Sequence, residues 1–386
     1  MFSLVILIAF LIYGGINYWI GRWVWLGMFE YLPNAKAWRK YYWLLFSVIA
    51  FSYILGQAFQ KYIPANLNRM IAYIGAYWLG AMFYLVLILL LLEILRIVNK
   101  FINFIPQTLL GKPTFNFALS FIIFFSLTCI LAYGTWNAQN PRVHHYDLKI
   151  NKPAGNIKTL HAVMISDIHL GTINQENTLV GLINRVNALH PDVILFAGDV
   201  FDENVEVFVQ QKMAIPFQSL KAPYGTYAVL GNHEYIGGHA EEAVHYLDEA
   251  GIHVLRDQTV EIANSINLVG RDDLSGARFN GIKRADLQSL LKNADRQLPI
   301  LVLDHQPSHL EEAEKEGVDL QLSGHTHHGQ LWPAQWVTQC IFEKDWGLLQ
   351  KGTYNLIVSD GYGTWGPPIR LGNHPEIVDL QLQFQP

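Results

Sequence analysis

Histidine and aspartate are both missing from the first 142 of the 386 residues, and that stretch holds only two acids, Glu30 and Glu93. Carboxylate and imidazole chemistry therefore belongs to the remainder of the chain, where all 15 histidines lie, beginning at His144. Cysteine is nearly absent as well. Cys129 sits inside an apolar run and Cys340 far from it, which excludes a disulfide framework and a thiolate zinc site. Charge is scarce overall: 15% of residues are charged and 51% hydrophobic, with a mean hydropathy of +0.18, too apolar for a disordered tail or an ordinary soluble enzyme. The net charge of −5 conceals an asymmetry, since ten Lys and Arg accompany the two acids up to residue 142, whereas 17 accompany 30 acids afterwards. Two chemically different regions share the chain, expected as a transmembrane domain over 1–142 and a second domain over 143–386.

Four uncharged stretches, Phe2 to Gly21, Tyr41 to Gln60, Met70 to Leu92 and Phe115 to Asn137, are each long enough to cross a bilayer as helix. A cleaved signal peptide would account for the first at most, because no basic segment precedes Phe2 and three further spans follow. Trp19, Trp23, Trp25, Trp38, Trp43 and Trp136 lie near the span ends, where indoles favour the headgroup layer. The first and third connections carry seven basic residues, Arg22, Lys36, Arg39, Lys40, Arg96, Lys100 and Lys112. The second connection and the segment after span four carry Lys61, Arg69, Arg142 and Lys149. That bias places connections one and three in the cytoplasm and the carboxy-terminal region outside the cytoplasm, on a protein of the cell (inner) membrane. Arg142, His144 and His145 read as a juxtamembrane linker.

Beyond Tyr146 the apolar runs shorten and acquire turn signals. His161 to Ser166, Val193 to Ala197, Thr226 to Leu230, Ile266 to Val269, Ile300 to Leu303 and Leu320 to Leu322 read as buried strands. Helical segments at Glu176 to Leu189 and Val205 to Leu220 separate the first three, the alternation of parallel crossover units. Tyr354 to Val358 and Glu376 to Leu382 read as closing strands, expected to be antiparallel. In such a fold, ligands collect beyond the carboxyl ends of the strands.

Polar residues stand at those ends: Asp167 and His169, then Gly198 and Asp199, then Gly231, Asn232, His233 and Glu234. Two later strands add His305 and the run Gly324, His325, Thr326, His327. Asp167, Asp199 and Asn232 are spaced by about one strand–helix–strand unit of roughly 30 residues, so each strand delivers one set of ligands. Carboxylates, imidazoles and one amide, without thiolate, suit Mn, Fe, Zn or a similar divalent ion, and there are enough for two.

This ordered series, Asp167-Ile-His169, Gly198-Asp199-Val-Phe-Asp202, Gly231-Asn232-His233-Glu234, His305 and Gly324-His325-Thr-His327, resembles the calcineurin-like metallophosphoesterase superfamily. The resemblance covers roughly Leu160 to Glu376, and five elements in order, each after a strand, are highly specific. The tail from Gly361-Tyr-Gly-Thr364-Trp365-Gly366 to Pro375-Glu376 resembles that of a membrane-associated bacterial branch. That branch includes enzymes that cleave the pyrophosphate of UDP-diacylglucosamine or phosphodiesters at the cell envelope. The resemblance implies an α/β, four-layer αββα sandwich preceded by a four-helix transmembrane domain. It also implies a first metal on Asp167, His169 and His327, a second on Asn232, His305 and His325, and Asp199 bridging them. A shared carboxylate partly offsets the repulsion of two cations, and a water between them would lose a proton near neutral pH and become the nucleophile. His233 is expected to be the catalytic imidazole, stabilising developing charge or protonating the leaving oxygen. Asp202 and Glu234 are expected to orient ligands.

Plainer readings stand beside these. An isolated Asp167 or Asp199 would serve as a helix cap, and Glu93 with Arg96 as a helix-end pair. His161, His190, His239, His245, His253, His309 and His374 are read as surface or satisfied residues. His328 and Asp304 adjoin ligands and could support them from behind. Trp365 and Arg370 could line a substrate cleft, Arg370 being suited to bind a phosphate of the substrate. The expected activity is hydrolysis of a phosphodiester or pyrophosphate in a lipid-linked or envelope molecule. The alternatives are a tethered phosphodiesterase acting on soluble nucleotides and a noncatalytic metal-stabilised scaffold. A metal-dependent amidase is disfavoured by the lack of a His-Glu-x-x-His helix motif. The expected partners are a phosphorylated substrate and the lipid bilayer; the acidic second region lacks the basic surface that nucleic acid as main partner would demand.

Overall fold

The structure is a computed structural model of the 386-residue chain and describes residues 2–60, 62–106, 108–203 and 205–385. It divides into two compact units: residues 1–135 with 366–369, and residues 136–365 with 370–386.

The first unit is built on α1 (Phe2–Val24), extended by a wider π-helical stretch at Trp25–Phe29, then α2 (Ala35–Phe59), α3 (Ala65–Ile102) and α4 (Pro113–Ala138). All four helices are long and apolar enough to cross a membrane, as the uncharged runs predict. Their outward faces carry exposed Leu, Ile and Phe, suited to lipid. Small residues bring α2 and α3 together: a Cβ on Gly75 would run into the backbone of Tyr53. Polar side chains link the helices within the unit, with Trp78 Nε1 donating to Asn17 Oδ1 at 2.9 Å and Tyr42 to the carbonyl of Gly21 at 2.7 Å.

Among the described residues the second unit contains twelve strands in two six-stranded sheets. They are β1 (Arg142–Ile150), β2 (Thr159–Ile165), β3 (Val193–Ala197), β4 (Thr226–Val229), β5 (His253–Val254), β6 (Gln258–Ile262), β7 (Ile266–Gly270), β8 (Ile300–Leu303), β9 (Leu320–Ser323), β10 (Gly347–Lys351), β11 (Tyr354–Val358) and β12 (Glu376–Phe384). The sheets run β1-β12-β2-β3-β4-β5 and β10-β11-β9-β8-β7-β6. The helices are α5 (Glu176–Leu189), α6 (Glu206–Gln210), α7 (Ala214–Phe217), α8 (Asn232–Ile236), α9 (Ala240–Glu249), α10 (Ser275–Phe279), α11 (Leu287–Leu290), α12 (Leu310–Lys315) and α13 (Gln335–Ile341).

Side-chain alternation builds the layers. In β3, Val193, Leu195 and Ala197 join a cluster containing Leu268, Leu301, Leu303 and Leu322 of the other sheet. Ile194 and Phe196 point the opposite way, into a cluster with Leu179, Leu182 and Val186 of α5. A third cluster packs Val302 and Leu356 against Leu287 of α11 and Leu310 of α12. The result is helix, sheet, sheet, helix, the expected αββα sandwich, and its central strands are continuously apolar because both faces are buried. Each such Val, Leu or Ile contributes about 1.5–3 kcal/mol through burial.

Three expectations are corrected. The segment with Arg142, His144 and His145 is no linker: it is β1, paired in parallel with β12 from Arg142↔Glu376 to Ile150↔Phe384. The helix read over 205–220 is broken into α6 and α7 by a turn in which Lys212 adopts a φ of 52°. The closing strands are not simply antiparallel, since β11 runs parallel to β9 and β12 parallel to β1, although β12 is antiparallel to β2.

Candidate dinuclear metal centre

The parallel strands of both sheets end at one place, and the residues following them converge there. Asp167 and His169 follow β2, Asp199 and Asp202 follow β3, Asn232 and His233 open α8 after β4, His305 follows β8, and His325 and His327 follow β9. Three groups of ligand atoms lie within 4.8 Å of one another: Asp167, His169 and His327; His169, Asp199 and His233; and Asp199, His305 and His325. Asn232 completes the set, its Oδ1 standing 3.1 Å from His305 Nε2 and 2.7 Å from His325 Nδ1. All seven residues expected to hold metal are therefore brought together, and Asp199 belongs to two of the groups.

The backbone is bent to achieve this. Asp167, His169, Asp199, His325 and His327 all have positive φ, between 46° and 72°, an uncommon conformation for these residues that the surrounding contacts must hold. Both carboxylate oxygens of Asp167 accept from the His325 amide at 3.0 Å, and Asp199 Oδ1 accepts from the His233 amide at 2.9 Å. Space is equally constrained. A Cβ on Gly231 would collide with the Asp199 carboxylate and one on Gly324 with that of Asp167, so these glycines are needed for room. Gly198 is needed for both reasons, with a φ of 89° and the His305 ring 2.5 Å from where its Cβ would stand.

The donor chemistry fits divalent cations. His305 Nδ1 lies 2.8 Å from the carbonyl oxygen of Ala197, so that nitrogen carries a hydrogen and Nε2 is the atom a cation could take in place of a proton. Nε2 faces two oxygens, Asp199 Oδ2 at 3.2 Å and Asn232 Oδ1 at 3.1 Å. On the other side His169 Nε2 and His327 Nε2 stand 3.0 Å apart, with Asp167 Oδ1 3.5 Å from the latter. Converging lone pairs of this kind are what a hard or borderline cation binds. Burial favours the neutral form of two of the imidazoles: it pushes His169 down to about 3 and, helped by the neighbouring His305, His325 down to about 4. At His305 burial opposes charge, but the Asp199 carboxylate outweighs it and raises that pKa well above the usual histidine range. Positive charge is favoured at that point.

His233 stands at the edge of the cradle, its ring centroid 4.5 Å from that of His169. Burial alone would depress it; the carboxylates of Asp199 and Asp202 overcome this and raise it to about 9. Its Nδ1 is 3.3 Å from Asp202 Oδ1, within ion-pair reach although not aligned as a hydrogen bond. Glu234 instead braces the loops, accepting from the amides of Phe201 at 2.9 Å and Gly231 at 2.8 Å.

The remaining expected residues occupy other settings. Arg370 does not lie on an open cleft wall: it is 0% exposed, donating through Nε and Nη2 to the Gly363 carbonyl and through Nη2 to that of Gly361, with Nη2 3.1 Å from His327 Nδ1. Asp304 faces Arg284 at 3.0 Å and Arg271 at 3.4 Å. His328 pairs with Asp345 at 2.7 Å, and Trp365 packs at 6.2 Å from the His233 ring. Two contributors were not foreseen. Asn174 donates to the carbonyls of His169 and Thr364, and Asn373 to those of His327 and His328, fixing the ligand loops through their backbones.

Residues 160–329 match the calcineurin-like phosphoesterase family. An uncharacterized metallophosphoesterase of Aquifex aeolicus is 39% identical over 260 residues, 65% of this chain and 95% of that one. The chain belongs to this metallophosphoesterase family. It is also similar to an uncharacterized metallophosphoesterase of Helicobacter pylori, 34% identical over 227 residues, 58% of this chain and 60% of the relative. A transmembrane protein with metallophosphoesterase domain from Danio rerio is 31% identical over 270 residues, 67% of this chain and 61% of the relative. The chain thus spans about three fifths of the length of these last two.

Proposed function

We propose that this protein is a membrane-anchored dinuclear-metal phosphoesterase that hydrolyses a phosphodiester or pyrophosphate bond in a lipid-linked or cell-envelope substrate. The observation that carries the reading is the interlocking of the ligand groups: the middle group, His169, Asp199 and His233, shares His169 with the Asp167 and His327 side and Asp199 with the His305 and His325 side. Asp167, His169 and His327 would hold one ion, Asn232, His305 and His325 the other, and Asp199 both. Two divalent cations held there supply Lewis acidity at phosphorus and acidify a water enough to act as nucleophile at neutral pH. His233 is the proton donor to the leaving oxygen, the neighbouring carboxylates keeping its imidazole charged and Asp202 facing its Nδ1. The substrate class rests on the membrane helices joined to the domain, and on Asp199 and its neighbours suiting phosphoesters of either type.

Purified protein loaded with Mn and assayed on bis-p-nitrophenyl phosphate tests the chemistry. Asp199→Asn and His233→Ala are each expected to lower kcat/KM by about 10²–10⁴-fold; turnover unchanged in either variant removes the assignment. Rates on lipid-linked pyrophosphates compared with soluble nucleotides test the substrate class, and a preference for nucleotides would overturn it. The distribution of basic residues supports a domain outside the cytoplasm, on the inner membrane. A carboxy-terminal alkaline phosphatase fusion should then be active in cells, and an inactive fusion would reverse the orientation.

A further inference from the structure

Helix α13 is built inside out. Its polar residues face the protein: Gln335 is buried and donates to the Leu371 carbonyl at 3.0 Å, and Thr338 Oγ1 lies 2.7 Å from Asp345 Oδ2. Its outward face carries Trp336, Val337, Cys340 and Ile341, at the spacing of one helix side, with Trp336 63% and Ile341 67% exposed. Only Gln339 adds a polar group to the exposed side. Trp332, which packs against Trp336 at 5.9 Å, and Trp365 are also more than half exposed. In water this arrangement is unfavourable, because a surface helix normally buries its apolar side.

The patch adjoins the metal centre. It follows His325 and His327 within a few residues, and Trp365 touches His233 on one side while pairing through its backbone with Gln330 on the other, at 2.8 and 2.9 Å. The chain itself supplies the apolar phase that such a face requires. Only three residues separate the end of α4 at Ala138 from the start of β1 at Arg142, a reach of roughly 10 Å. Trp365 is followed directly by residues 366–369, which group with the membrane helices. Indoles with aliphatic neighbours are the composition of segments that lie in the headgroup layer with their apolar side in the acyl boundary.

We propose that α13, with Trp332 and Trp365 beside it, lies in the interfacial layer of the bilayer, so that the metal centre opens at headgroup level. The proposal rests on the reading of the chain as membrane-anchored; it deepens the lipid-linked substrate assignment without requiring it.

The test uses the full chain in lipid nanodiscs. Cys129→Ala leaves Cys340 as the single cysteine, to be labelled with an environment-sensitive fluorophore. The probe should emit as in an apolar medium, be quenched at least about twofold by lipids spin-labelled near the headgroup, and resist aqueous iodide. A probe at His245→Cys on α9, in a background lacking both native cysteines, should behave as water-exposed. The same lipid signature from Val337→Cys in that background guards against a local effect at Cys340. A Cys340 probe open to iodide and unaffected by lipid quenchers overturns the proposal, as does cross-linking of Cys340 between two copies without lipid quenching. If the probes read lipid while soluble nucleotides remain the faster substrates, the docking stands and the substrate assignment falls.

Discussion

A single methyl group added at Gly198 addresses the constraints of the centre most directly. The residue has a φ of 89°, where an L side chain is strained, and the new Cβ would meet the His305 ring. Two costs coincide, about 1–3 kcal/mol for the backbone alone and the displacement of His305 from the Ala197 carbonyl. Gly198→Ala is therefore expected to lower the unfolding midpoint and, because His305 moves, to reduce bound metal by one equivalent, read by elemental analysis of the purified protein. Wild-type midpoint and metal content together would show that the ring has room to retreat. The convergence of these residues was legible in the sequence because each follows a buried strand directly, so that order along the chain maps to nearness in space. Asn174 and Asn373 were not, since their partners are backbone carbonyls brought within reach only by tertiary folding. Arg370 was legible as a charged residue in the tail but not as a buried one, because burial depends on the carbonyls of Gly361 and Gly363 closing around it.

At the scale of elements, the continuous apolar runs of β3 and β8 and the largely apolar run of β11 marked strands buried on both faces, and their ends were read without error. β1 was missed for the opposite reason. It is an edge strand rich in Arg, His, Asp and Lys, and its polarity imitates a linker. Those polar residues nevertheless connect it to β12: His144 Nδ1 pairs with Glu376, His145 Nδ1 with Asp379 Oδ2 at 2.6 Å, and His161 of β2 with the same Asp379. The hydrogen bond to Glu376 raises the pKa of His144, against opposing contributions from burial and Arg142. A folded-state pKa above the unfolded value of about 6.5 gives a contribution that is fully present below that value and disappears as pH rises through the folded one. His144→Gln should accordingly lower the unfolding midpoint at pH 5.5 and have a diminishing effect through pH 8 and above. A destabilisation that grows with pH would mean that the bond to Glu376 does not favour the charged imidazole.

For the molecule as a whole, the question is whether the metal centre holds the domain together or is held by it. The three apolar clusters of the second unit lie between its layers and are formed by residues other than the seven proposed ligands. Burial at about 1.5–3 kcal/mol for each large side chain makes those clusters, not the site, the source of the fold. The centre works against that background. It gathers buried carboxylates, facing imidazole lone pairs and five residues with positive φ, all of which a cation would stabilise by binding the folded chain alone. Free metal at a hundred times its dissociation constant adds about 2.7 kcal/mol per site, which in a domain of this size corresponds to a rise in midpoint of roughly 5–10 °C per ion. Chelation with EDTA should thus lower the midpoint of the full chain in detergent by about that amount or twice it, with secondary structure at 25 °C retained, and Mn should restore it. The shift should be absent in Asp199→Asn, which removes the carboxylate proposed to hold both ions. A midpoint indifferent to chelation would mean that the converging groups bind no ion of consequence, and a domain that unfolds outright would mean that the clusters cannot sustain the sandwich alone.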